Sequence, residues 1–227
     1  MPIHPLLVSR RIEVQIIKRM LKFTPDDVVC DIGCGDGYWT SRITRSARTV
    51  GVDIDSAALR RAVAIHSRPR LTYVKASVTD MPFPTDYFTR IFGICSIEHV
   101  PDNTAAFSEM GRCLRPGGLL ALTLDSLTFP GTTQARREEH HRKYFTPHLY
   151  DVPYAAECLQ SAGLTLVEHQ FIICSPSAHR AYNLVSRQPK LQYLGFPILY
   201  PLIRWSDARE SEPKGGWKLA IKAIKKV

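Results

Sequence analysis

The stretch VVCDIGCGDGYW, residues 28–39, constrains this chain most. A short β-branched apolar run ends in an acid, and Gly33, Gly35 and Gly37 follow within five residues. Val28–Ile32 has the composition of a strand buried on both faces. Glycines at its end permit positive φ and remove the Cβ that would keep a ligand from the backbone. The spacing is GxGxG, with Tyr38 where a dinucleotide fingerprint would carry its third glycine.

Further along, apolar runs alternate with segments of helical spacing. Val8, Ile12, Ile16, Ile17, Met20 and Leu21 recur as one face of an N-terminal helix. Tyr38–Arg45 is expected to be a helix, Thr49–Asp53 a second strand, and Ser56–His66 a helix capped by Ser56. Leu71–Lys75 and Arg90–Ile94 read as strands, and Asp102 as the cap of a helix to Leu114. RPGG should turn into a strand at Leu119–Leu124. Thr146–Pro147 should start another helix ending at Gly163, before a strand at Leu164–Ile173. In WKLAIKAIKK the alternation favours a last strand with Lys218 and Lys222 on a wet face. Alternating strands and helices imply parallel βαβ units in one α/β domain spanning 1–227. Segments near 1–24, 127–146 and 175–215 stand outside the simple alternation and are expected to act as caps or lids.

Asp53 ends the second strand about twenty residues past Gly33, where an acid can accept from both hydroxyls of a ribose. The pair indicates an adenosine-containing cofactor. Asp31 favours S-adenosylmethionine over a dinucleotide, because a carboxylate there repels a pyrophosphate and attracts an ammonium.

VVCDIGCGDG (28–37), GVDID (51–55), SVTDMPFPTDYFTRIFGICSIEHVPD (77–102) and CLRPGGLLALT (113–123) together resemble the class I S-adenosylmethionine-dependent methyltransferases. The likeness is to the type 11, ubiquinone/menaquinone-like branch acting on small molecules, and HHRKYFTPHLYDVPYAAECLQSAGL (140–164) is similar to a later stretch of it. The resemblance implies a Rossmann-like, mostly parallel sheet of seven strands with helices on both faces and the last strand antiparallel. It places Asp31, Gly33, Cys34 and Gly35 at the methionine part of the cofactor and Asp53 at the ribose. Ile54 would lie on the adenine face, Ser77 and Val78 at the adenine edge, and Cys95 would contribute backbone. Ser77 stands where relatives often carry an acid, so the adenine amino group would meet a shorter, neutral acceptor.

Methyl transfer from a sulfonium asks the protein mainly for orientation and desolvation, with a base where the acceptor is acidic. His99, after the fourth strand, is a candidate base, and His141 and Tyr144 are candidate substrate-facing residues. No third ligand accompanies His140 and His141, so no metal is expected. The six cysteines form no CxxC pair and are expected to be reduced.

The net charge of +9 attracts anions of any kind, but no RNP, KH or zinc-finger pattern supports nucleic acid. No segment is apolar for long enough to span a membrane, and no signal-peptide pattern opens the chain, so a cytoplasmic setting is expected. LQYLGFPILYPLIRW (191–205) reads either as cover for the core or a homo-oligomer face, or as an apolar wall for a hydrophobic acceptor at a membrane surface. The five lysines of 214–227 suit such peripheral contact. The leading expectation is methyl transfer to a small-molecule substrate, in natural-product or cell-envelope glycolipid metabolism. The alternatives are a non-catalytic cofactor-binding protein and a methyltransferase acting on RNA or protein.

Overall fold

The computed structural model describes residues 8–45, 47–186 and 196–226. The parts of the expected caps at 1–7 and 187–195, including the start of the 191–205 segment, lie outside the described residues. In chain order the elements are α1 (Val8–Leu21), β1 (Val28–Ile32), α2 (Thr40–Ile43), β2 (Arg48–Asp53), α3 (Ser56–His66), β3 (Leu71–Lys75) and β4 (Phe88–Ile94). Then come α4 (Asn103–Cys113), β5 (Leu114–Asp125), α5 (Gln134–Tyr144), α6 (Val152–Ser161), β6 (Leu164–Ile172), α7 (Pro176–Ser186), α8 (Phe196–Ala208) and β7 (Lys218–Lys225). A single 3₁₀ turn, Ile97–His99, follows β4.

The strands form one sheet in the order β3-β2-β1-β4-β5-β7-β6. Strands β1 to β5 pair in parallel, and β7 runs antiparallel between β5 and β6. From β1 the chain winds outward to β3, then crosses back to lay β4 on the other side of β1. That reversal opens a crevice at the carboxyl ends of β1 and β4, where such sheets take ligands.

Both faces of the sheet are covered, so its strands read as near-continuous apolar runs. Alternate residues serve opposite cores. Ile91, Leu120, Leu122, Leu219 and Ile221 pack against α4 and α6 through Phe107, Met110 and Leu159. Phe92, Ala121 and Ala220 pack against α1 and α8 through Ile17, Met20 and Ile203. The six α1 positions picked by their spacing are all buried.

Several expectations need correction. Asp55, not Ser56, caps α3, its carboxylate accepting from the Ala57 amide at 2.7 Å. The helix after the glycine turn is four residues long. Strand β5 starts at Leu114, ahead of RPGG, and absorbs that segment as an irregularity opposite Phe88–Arg90. Thr146–Pro147 starts no helix. α6 begins at Val152, where Asp151 accepts from the Tyr154 amide and Pro153 occupies the first turn, where its missing N–H costs nothing. Lys218 is not on a wet face but is buried in a charged cluster.

Candidate active site

The turn after β1 is held by the strand beside it. The amides of Gly33 and Cys34 both donate to the Val52 carbonyl, at 2.8 and 3.0 Å. The Gly35 amide donates to Asp53 Oδ2 at 2.8 Å, and Asp53 Oδ1 accepts from the Asp55 amide at 2.9 Å. Asp53 thus fixes the turn against the end of β2.

Two glycines of this turn do different work. Gly33 has φ +70°, and a Cβ there would stand 2.5 Å from Ser96 Cβ, in the loop after β4. Gly33 therefore lets two strand ends approach. Gly35 has φ +55°, and nothing lies within 4 Å of where its Cβ would be. Its bareness faces open space, as a cradle for a ligand requires. Beside it, Ile54 is 69% exposed, an unusual place for a large aliphatic side chain at a strand end. Ser96 Oγ, beside Gly33, is buried without a hydrogen-bond partner.

Asp31 lies beneath the turn, and Thr40 donates to its Oδ2 at 2.6 Å. Burial raises this carboxyl to about 7, against the Thr40 hydrogen bond and with help from Asp53. A cation placed there would ionise it. An orphaned hydroxyl, an open glycine cradle, an exposed aliphatic platform and a carboxyl awaiting a cation fit S-adenosylmethionine, whose ammonium, ribose and purine need those groups. Cys34 is buried beneath the turn, and desolvation followed by the Asp31 charge pushes its thiol far up.

At the end of β3, Ser77 Oγ shares a 2.7 Å hydrogen bond with Thr79 Oγ1 and accepts from the Thr79 amide. The Val78 side chain turns into the core. Cys95, with φ +48°, aims its thiol at Glu13, 3.0 Å away, rather than toward the glycine turn.

The three candidate catalytic residues gather at one rim. His99 Nδ1 lies 3.0 Å from the Phe145 carbonyl, and His141 Nδ1 lies 3.0 Å from the Thr146 carbonyl. A carbonyl only accepts, so each ring carries its hydrogen on Nδ1 and, when neutral, its lone pair on Nε2. Tyr144 is half exposed, and its ring centre lies 4.8 Å from that of His140. His141 is on the exposed side of α5, whereas His140 turns inward with the half-exposed Tyr144 ring lying over it one turn later.

His140 leads to a buried network that spacing alone did not reveal. Its Nε2 lies 2.7 Å from Asp125 Oδ2, and Lys218 Nζ is 2.6 Å from Asp125 Oδ1. Lys218 also reaches Cys95 Sγ at 2.8 Å and Glu13 Oε1 at 3.7 Å. Arg10 stands 3.5 Å from Glu13 Oε2, which Thr123 also bonds at 3.1 Å. Burial pushes Asp125 up, but Lys218 and then His140 outweigh it and hold this carboxyl far below its usual range. Burial lowers Lys218, but Asp125, Cys95 and Glu13 carry it well above its ordinary value.

Glu98 is the odd member. It is fully buried, its Oε1 accepts from the Asp125 amide at 3.3 Å, and its Oε2 has no partner. Burial and the Asp125 charge raise it to about 8, so it stands as a neutral acid at pH 7. Cys95, Glu98 and Asp125 bring their ligand atoms within 4.8 Å of one another. The Lys218 ammonium already occupies that spot as its cation, so the cluster is poorly suited to a metal. One signal in the sequence marks this network: Glu13 interrupts the apolar face of α1.

Residues 30–122 match the family described as a methyltransferase domain. An uncharacterised methyltransferase of Mycobacterium bovis is 33% identical over 95 residues, 41% of this chain and 48% of the relative. The chain thus spans about half that relative's length. A trans-aconitate 2-methyltransferase of Acidovorax is 28% identical over 210 residues, 88% of this chain and 74% of the relative. Among solved structures, the Haemonchus contortus phosphoethanolamine N-methyltransferase 2 bound to phosphomonomethylethanolamine and S-adenosylhomocysteine superposes with a TM-score of 0.69. That match is 18% identical and covers 96% of this chain and 53% of that one. The sheet order and the glycine cradle agree with the domain match, so residues 30–122 carry the features of a class I S-adenosylmethionine-dependent methyltransferase domain.

Proposed function

We infer that the chain transfers a methyl group from S-adenosylmethionine to a small-molecule acceptor. The observation that carries this reading is the Gly35 cradle, open to solvent and pinned by Asp53 beside exposed Ile54. Asp31 and the backbone of Gly33–Gly35 would hold the methionine part, Asp53 the ribose, and Ile54 with the Ser77–Val78 backbone the adenine. Bound there, the cofactor supplies a methyl on a sulfonium, with a neutral thioether as leaving group.

The residues of this chain orient and deprotonate. His99 is anchored through Nδ1 to the Phe145 carbonyl, so its Nε2 lone pair can take the proton from an acceptor hydroxyl as the new bond to carbon forms. His140, held by Asp125 in the manner of an oriented imidazole, is a second base, with Nδ1 as its basic atom. Exposed Tyr144 and Phe145, at 50% and 60%, offer an aromatic wall beside His99, which favours an acceptor with an apolar part, such as a glycolipid-like intermediate. The relatives named for trans-aconitate and phosphoethanolamine support a small acceptor.

Calorimetry with S-adenosylhomocysteine tests the cofactor reading, and an acceptor screen with S-adenosylmethionine tests transfer. Binding that is lost in Asp53→Ala, with turnover of a small acceptor, is the expected result. Tight binding without turnover on any acceptor would leave a cofactor-binding protein without catalysis. Turnover on RNA or protein alone would replace the small-molecule reading.

A further inference from the structure

Helix α8 presents an apolar face to solvent. Ile198, Leu202 and Trp205 are 71%, 41% and 55% exposed, and their spacing of four and three puts them on one side of the helix. Exposed Pro201 lies between them. The opposite side is committed to the fold. Ile203 is fully buried against the core shared with α1, and Ser206 bonds Ser175 at 2.7 Å. Asp207 accepts from the amides of Ile173, Cys174 and Ser175, at 2.6, 2.9 and 3.0 Å. These bonds clamp the helix to the end of β6, so its apolar side is held outward.

We propose that this face of α8 docks on an anionic lipid surface. Three observations select that occupant. First, the face ends in cations: Arg204 is exposed, and the Arg209 guanidinium stacks 3.6 Å above the Trp205 ring. An apolar stripe with a tryptophan and an arginine rim is the pattern of a helix lying in the headgroup layer. Second, Pro201 has no N–H for the Pro197 carbonyl, which must therefore find a donor in water or headgroups. That suits the headgroup interface, where such donors are at hand. The helix is 13 residues long, and among the described residues no helix is long and apolar enough to cross a membrane. Third, a second copy of the chain would bring the same arginines and another net charge of +9 against this face, whereas an anionic bilayer neutralises both. Glu210 and Glu212 follow the helix but leave the overall balance strongly basic. The lysines of the last strand contribute less than their number suggests, because Lys218 is buried and Lys225 bonds Asp86 at 2.7 Å.

The test is flotation of the full chain with vesicles of equimolar phosphatidylglycerol and phosphatidylcholine, against vesicles of phosphatidylcholine alone. Binding to the anionic vesicles that weakens with added salt is expected, together with a blue-shifted emission lost in Trp205→Phe. The double variant Ile198→Ser with Leu202→Ser should bind at least about tenfold more weakly, since it removes two inserting aliphatic side chains. Val63→Ser, which alters an exposed aliphatic on α3, should bind as the unaltered chain does. Equal partitioning of the double variant, or no binding of the unaltered chain, would overturn the proposal. So would a dimer in light scattering that the double variant dissolves, which would make a second copy the occupant. The double variant should keep its S-adenosylhomocysteine affinity, so failure here and failure of the methyl-transfer reading are separate results.

Discussion

Glu98 makes the interior testable through pH. Its carboxyl stands at about 8 in the folded chain against 4.5 when solvated, because it is buried beside Asp125. A carboxyl raised on folding adds stability at low pH, and that stability is lost as pH rises through the folded value. Between pH ~5.5 and ~8.5 linkage puts the loss at about 3 kcal/mol. Glu98→Gln keeps the shape and the acceptor for the Asp125 amide but cannot ionise. Urea unfolding at several pH values, with wild type and variant compared at each, isolates this group from the other titrating residues. The variant should gain on wild type by about 3 kcal/mol across that range, most of it between pH ~6 and ~8. Parallel stability curves would show that Glu98 is ionised in the folded chain, and that Lys218 reaches far enough to compensate it.

Three further outcomes follow from the site. Gly33→Ala should cost about 2–4 kcal/mol, from a left-handed backbone plus the overlap with Ser96, whereas Gly35→Ala should cost about 1–2 kcal/mol yet lose S-adenosylhomocysteine affinity; thermal melts and calorimetry on both would separate packing from ligand space. At pH 7, S-adenosylhomocysteine should release a proton from Asp31, because its ammonium stabilises a carboxylate that stands at about 7 in the free chain; binding enthalpies that do not vary with buffer ionisation, or that vary equally in Asp31→Asn, would refute this. Lys218→Met should destabilise the chain by about 3–5 kcal/mol by removing the main counter-charge of buried Glu13 and Asp125, and the companion triple variant with Glu13→Gln and Asp125→Asn should recover much of that in thermal melts.

The sheet and the glycine turn were legible in the linear chain because their causes are local. Apolar runs of strand length, glycines where φ must be positive, and an acid closing the second strand all express themselves within a few residues. The last strand was legible as well, because its alternation has a period of two. The errors were also local in origin. Ser56 and Thr146 carry hydroxyls suited to capping, but Asp55 and Asp151 each lie in extended backbone that lets a carboxylate reach a free amide.

The charged network was not legible, and its members show why. Glu13, Glu98, Asp125, His140 and Lys218 come from five separate segments, and apart from Glu13 on its apolar helix face each alone reads as a surface residue. Their burial together depends on β7 entering antiparallel beside β5, which places Lys218 opposite Asp125. The same crossing turns His140 inward and leaves His141 outside, a choice that depends on which side of α5 meets Trp217, whose ring centre lies 5.9 Å from that of His140. Local patterning therefore determined the strands of this protein and the glycine turn between the first strand and its helix. Only the tertiary structure decided which charges share a low-dielectric interior, because that interior is made by segments far apart in the chain, with Asp125 and Lys218 standing 93 positions from each other.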